Sequence, residues 1–98
     1  MKTVHYSEPA EFVWDKGNKR KNLKKHNVTK KECEGVFFDD KKLYYPDPKQ
    51  STQEQRHIIV GKTEKGRLLL IVYTVRKGLV RIISARDINR KRESHLYL

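Results

Sequence analysis

The chain has 98 residues, 36% hydrophobic and 36% charged, with 23 lysines and arginines against 12 acids and a formal net charge of +11. That length and composition support one domain with a small core, and the surplus of positive charge favours a polyanionic partner. They argue against a membrane protein: no run approaches the ~18 apolar residues of a spanning helix, and no basic segment carries a matching apolar face. Residues 1–6, MKTVHY, have no apolar signal-peptide core, and the single Cys33 cannot form an internal disulfide, so a cytoplasmic location is expected. His5, His26, His57 and His95 are scattered without ligand spacing, so no metal site is expected. The five glycines form no phosphate loop, and no cofactor is implied.

Residues 1–11 are polar, contain Pro9 and read as an N-terminal extension, leaving 12–98 as a single domain. Phe12-Val13-Trp14 reads as a short first strand. Asp15 is a candidate cap for a helix running to about His26, loaded with Lys16, Lys19, Arg20, Lys21, Lys24 and Lys25 and holding Leu23 as its only strong apolar residue. Asn27-Val28 ends it. Thr29 and Glu32 then form a capping-box pattern, and Cys33, Val36 and Phe37 follow at i, i+3, i+4 as a core-facing stripe. Cys33 on that stripe is read as a small buried hydrophobe.

Asp39-Asp40 and Tyr45-Pro46-Asp47-Pro48 bracket a short extended piece at Leu43 to Tyr45, which the prolines make an edge strand or loop. Another strand begins over Arg56 to Gly61 and turns at Glu64-Lys65-Gly66. The runs Leu68 to Val75 and Leu79 to Ala85 flank Arg76-Lys77-Gly78, a hairpin signal in which Gly78 supplies a positive φ. Asp87-Ile88-Asn89 leads into a basic C-terminal helix reaching about Tyr97. The order β-α-α-β-β-β-β-α predicts an α+β domain: a small, mostly antiparallel sheet with two N-terminal helices and one C-terminal helix.

Arg81 interrupts the second hairpin strand. Strict alternation puts it on the face of Leu79 and Ile83, where an unpaired charge would cost several kcal/mol or more. It must meet a carboxylate or an incoming anion, and a phosphate-binding arginine rooted in a rigid sheet is the second of these.

Phe12-Val13-Trp14-Asp15, Asn22-Leu23-Lys24-Lys25-His26-Asn27-Val28 and Glu34-Gly35-Val36-Phe37 with Asp39 resemble the pattern of the BrnT family. The likeness continues through Asp47-Pro48, Glu54-Gln55-Arg56, Gly61, Gly66-Arg67-Leu68-Leu69, Val72-Tyr73-Thr74, Arg76 and the six residues Arg81 to Arg86. It covers roughly Phe12 to Tyr97. Many members carry glycine where this chain has Asn27. The resemblance implies a RelE-like fold and a metal-independent endoribonuclease toxin that halts translation. It also implies a cognate antitoxin, an RNA substrate, and operator DNA reached only through the antitoxin complex.

Cleavage of RNA by its own 2′-hydroxyl requires a base, an acid and positive charge for the phosphorane. Arg81 is the candidate for that charge, with Arg56 and Arg67, each at a strand start, as companions. Arg67 and Arg86 are candidates for holding the RNA backbone. His26 and Glu54 are the acid–base candidates, His26 because Lys24 and Lys25 would favour its neutral form. Their structural alternatives are a helix C-terminal cap and a surface ion pair. Tyr73 stacks a base or, more simply, belongs to the core. Lys24 and Lys25 would gather RNA electrostatically, or dock an acidic antitoxin segment. A non-catalytic basic binding module, including a toxin that no longer cuts, fits the composition equally well.

Overall fold

The structure, a computed structural model, describes residues 11–13, 26–46 and 56–97. Five strands form one sheet: β1 (Glu11–Val13), β2 (Leu43–Pro46), β3 (His57–Lys62), β4 (Leu68–Arg76) and β5 (Leu79–Asp87). Their order across the sheet is β1-β5-β4-β3-β2. The β-branched runs of β4 and β5 fold back through Lys77 and Gly78, both at positive φ (53° and 78°), a two-residue turn whose twist matches the flanking strands. The expected edge strand is indeed β2, antiparallel to β3 and closed by Pro46.

Two helices are present among the described residues. In α1 (Lys30–Val36) the Thr29 hydroxyl accepts from the Glu32 N–H while Glu32 accepts from the Thr29 N–H, so the capping box predicted from sequence is formed, an arrangement worth ~1 kcal/mol. Asn27, at φ 54°, turns the chain into this cap, a conformation glycine adopts freely and asparagine tolerates. Cys33, Val36 and Phe37 are buried as the spacing predicted. They pack with Val28, Ile59, Leu69, Ile71, Tyr73, Val80, Ile82 and Ala85 into the main core, on the sheet face beneath α1. Phe37 meets Phe12 and Tyr73 edge-on at 5.1 and 5.2 Å.

The fold expectation is corrected in three places. The sheet is mixed: β1 runs parallel to β5, with Phe12 beside Val80 and Val13 beside Arg81. The described N-terminal part contributes one short helix, α1, in place of two; the other expected helix lies outside the described residues apart from His26. The C-terminal helix is only α2 (Arg90–Glu93), continued as a 3-10 turn at Ser94–Leu96. Its three consecutive cations offer no apolar stripe to hold a longer helix against the sheet.

Below α2 the chain is fastened to the sheet face opposite α1. Leu96 and Tyr97 pack on the second cluster of Val60, Leu70 and Ile88. The Tyr45 hydroxyl donates to the Leu96 carbonyl at 2.7 Å and the Tyr97 hydroxyl to Asp39 Oδ2 at 2.6 Å. Among the described residues, this C-terminal segment covers one end of that face.

Candidate functional site

At the other end of the same face lies a groove of about 390 Å³ lined by Val13, Arg76, Lys77, Leu79 and Arg81. Three of the five described residues that line it are cations and none is an acid. Two other hollows flank α1, of about 370 and 480 Å³, and both include carboxylates, Glu32 and Glu64 in one and Asp39, Asp40 and Glu64 in the other. Among these three, the groove at Arg81 has the electrostatics for a polyanion.

A bulge fixes which way Arg81 points. Val72 pairs with Ser84 but Tyr73 pairs with Ile82, so β5 carries one extra residue, Ile83. Val80, Ile82 and Ala85 therefore all reach the core under α1, and Leu79, Arg81, Ser84 and Arg86 take the opposite face. Ile83 thus drops out of the alternation expected from sequence. Arg81 is the cross-strand partner of Thr74, and Val13 lies on its other side.

The β3–β4 ladder begins at His57 opposite Tyr73. Arg56 directly precedes that ladder, so extending the register by one step would place it beside Thr74 in a row with Arg81, and strand spacing would then set the two arginines ~10 Å apart at their backbones. Thr74 is only 2% exposed, and its hydroxyl has no hydrogen-bond partner. A buried, unsatisfied hydroxyl costs ~1–3 kcal/mol.

Residues 14–92 match the ribonuclease toxin BrnT of type II toxin–antitoxin systems. The chain belongs to the BrnT family. No curated protein matches it. Membership makes it a ribonuclease toxin of a type II system, with an antitoxin as its partner.

In this BrnT-family chain the residues singled out from sequence fall into separate groups. Arg56 and Arg81 fall in the row that the extended register would form. Glu54, Lys24 and Lys25 lie outside the described residues. His26 is elsewhere: its carbonyl accepts from Arg67 Nη2 at 3.0 Å, and Arg67 grips Asp87 at the far end of β5. Six residues of strand, about 20 Å, separate Asp87 from Arg81. His26 and Arg81 are not brought together.

Arg67 is engaged on every side. Nε and Nη2 donate to the two Asp87 oxygens at 2.7 and 2.9 Å, and Nη1 donates to the Asn27 carbonyl at 2.7 Å and to Glu32 at 3.2 Å. With the His26 carbonyl these contacts occupy all five guanidinium donors, leaving none for a phosphate. Arg67 accordingly locks the segment before α1 to the end of β5. Its hydrogen bonds hold Asp87 below the usual carboxylate range. Burial pushes Glu32 up, but the Thr29 N–H and Arg67 outweigh it and the carboxyl ends below its ordinary value.

Arg86 forms a two-pronged pair with Glu93, both contacts at 2.8 Å, which lowers Glu93 to about 2. Glu93 and Tyr97 have different partners: Arg86 for one and Asp39 for the other. Burial, then the Asp39 carboxylate, raises the Tyr97 hydroxyl to about 12. Tyr73 is core, 1% exposed, with His57 stacked on it at 5.3 Å; burial lowers the His57 imidazole. Burial, then Glu32, raises the Cys33 thiol to about 12 and makes it inert.

Among the described residues, no group of three His, Cys, Asp or Glu side chains could hold a metal ion, and no helix is long and apolar enough to cross a membrane. Sequence reasoning missed Thr74, Arg76 and Lys77 as site residues. Thr74 and Arg76 stood in the family pattern, but only the strand register relates them to Arg81.

Proposed function

We propose that this chain is a metal-independent endoribonuclease that arrests translation, acting through the row of Arg56 and Arg81 beside the basic groove. The observation that carries the reading is the groove: Arg76, Lys77 and Arg81 are three of its five described lining residues, none of which is an acid, and its inner wall belongs to the nine-residue strands β4 and β5. In the proposed step the 2′-oxygen attacks phosphorus, the P–O5′ bond breaks, and the products are a 2′,3′-cyclic phosphate and a 5′-hydroxyl. A base takes the 2′-proton and an acid supplies one to the 5′-oxygen. Between these events the equatorial oxygens carry added charge, which rigid arginines aimed at them stabilise.

Glu54, two residues before Arg56 in the chain, is the proposed base. His26 does not fill that role, because ~20 Å separates its end of β5 from Arg81. The antitoxin is proposed to silence the toxin by covering this groove, and operator DNA is reached only through that complex. Cytoplasmic action follows from the substrate.

The test is product chemistry. The full chain, freed of antitoxin, is incubated in chelator with an end-labelled RNA of mixed sequence. Cyclic phosphate and 5′-hydroxyl ends are expected, and Arg81→Ala should lose cutting while its thermal midpoint moves by no more than a few degrees. Cutting that stops in chelator, or that leaves 5′-phosphate ends, would overturn the proposal.

A further inference from the structure

We infer that the Thr74 hydroxyl is a third ligand of the scissile phosphodiester, set on the sheet between Arg56 and Arg81. This rests on the reading above, which names only the arginines. No described residue bonds to Thr74 Oγ1, although Thr74 is 2% exposed. Its neighbours in the sheet explain why a hydroxyl stands there. Arg81 is its ladder partner on β5, and the β3 register continued by one step puts Arg56 on its other side. All three share the face opposite α1, since Tyr73 and Val75 on either side of Thr74 belong to the core beneath that helix.

A phosphodiester held by two guanidiniums ~10 Å apart at their backbones meets the sheet midway between them, over Thr74. There a hydroxyl can donate to an equatorial oxygen, a bond that strengthens as the phosphorane gains charge. The arginines on either side have long, jointed side chains. For the anion to reach it, the groups that bury the hydroxyl must draw aside as the arginines close on the phosphate. The partner missing from the unliganded protein then arrives with the substrate.

The position of Thr74 sharpens the claim. Ser84 and Arg86 share its face but lie farther along β5, where Arg86 is already paired with Glu93. Thr74 sits on the central strand of the sheet, where its pairing with Arg81 on β5 holds its backbone, one residue past Tyr73, the last β4 residue in the β3 ladder. A donor so placed needs no reorganisation as charge develops, which is why it should act on turnover more than on affinity.

The experiment compares Thr74→Val, which keeps the shape and removes the hydroxyl, with Thr74→Ser, which keeps the hydroxyl, and with Arg81→Ala. Each full-length variant is freed of antitoxin and assayed for thermal midpoint, RNA affinity and single-turnover cutting of the same transcript. The expected result is that Thr74→Val melts at or above the parent temperature, binds RNA within a few-fold of the parent and cuts ~10²–10³-fold more slowly. Thr74→Ser should recover most of the rate. Parental cutting by Thr74→Val, with Arg81→Ala inactive, overturns this inference and leaves the proposed function standing. Parental cutting by both overturns the two together. If Thr74→Val melts well below the parent, or Thr74→Ser cuts no faster than Thr74→Val, the hydroxyl has a structural role and the inference fails.

Discussion

Replacing Arg67 by alanine separates a structural lock from an RNA contact, because the two roles move different observables. The guanidinium bridges two backbone carbonyls, Asn27 at 2.7 Å and His26 at 3.0 Å, and two carboxylates, Asp87 and Glu32. The Asp87 side chain is 59% exposed, so water screens that pair and leaves it ~0–1 kcal/mol. Glu32 and Arg67 are more sheltered, at 29% and 26%. Hydrogen bonds to a charged group are worth ~1.5–3 kcal/mol when well protected, and partial exposure trims each of these contacts. Alanine should therefore cost about 2–4 kcal/mol, a large share of the ~5–15 kcal/mol that holds a domain together. At ~4–8 °C per kcal/mol for a domain near this size, the melting temperature falls by roughly 8–32 °C. Circular dichroism of the full chain measures it, beside RNA binding at a temperature where the variant is folded. Lysine at this position offers one ammonium in place of a five-donor fork and should recover little. An Arg67→Ala protein that melts within a few degrees of the parent but no longer binds RNA would refute the lock and return Arg67 to the substrate.

Further tests address the rest of the fold and the row. Gly61→Ala builds a Cβ 3.0 Å from Val36 Cγ1 and 3.2 Å from Asp39 Oδ2, an overpacking expected to cost ~1–3 kcal/mol and read as a lower midpoint in a urea titration. Glu32, Asp39, Asp87 and Glu93 all have folded-state pKa values below their ordinary ones, so the stability they contribute is complete above about pH 4.5 and is lost as pH falls toward the folded values, about 2 for Glu93. Melting temperature should thus hold steady from neutral pH to about 5 and then drop, with Glu93→Gln lowering the plateau and flattening the fall. Cys33, 0% exposed with its thiol raised to about 12, should resist thiol reagents in the native protein and react on unfolding in denaturant. Arg56→Ala should slow RNA cutting ~10²-fold or more with little change in melting temperature; unchanged cutting would remove Arg56 from the row.

Local signals were legible in the sequence and distant ones were not. The capping box of α1 and its buried stripe lie within the nine neighbouring residues Thr29 to Phe37, and the β4–β5 turn needs two, so both were readable. The parallel pairing of Glu11 with Leu79 joins segments far apart in the chain, and a three-residue strand carries no periodicity to announce it. The Ile83 bulge had no local mark either, because it resolves a competition between Ala85 and Arg81 for opposite faces. Arg67 was correctly noticed, but its carboxylates are 35 and 20 residues away, so its lock was invisible and a role on RNA was inferred instead. For the site, Arg81 was legible as a cation interrupting an apolar strand, and Arg56 as its companion at a strand start. Their alignment through Thr74 emerged only from two strand registers.

Those registers also sort the polar residues of the family pattern by what they already hold. Asp39 accepts the Lys41 and Lys62 N–H groups and the Tyr97 hydroxyl, Arg67 spends every donor inside the fold, and Arg86 is clasped by Glu93. Each therefore joins distant elements, as a small core of this composition requires. Arg81 lies on β5 opposite Thr74, whose hydroxyl has no partner among the described residues, beside a groove with no acid among its described lining, and Arg56 directly precedes β3. Catalysis of phosphoryl transfer asks for positive charge fixed before the substrate arrives, and strands paired on both sides fix it best. The same rigidity that lets β4 and β5 carry the core is what would hold Arg81 and Thr74 still while charge builds on the phosphorane.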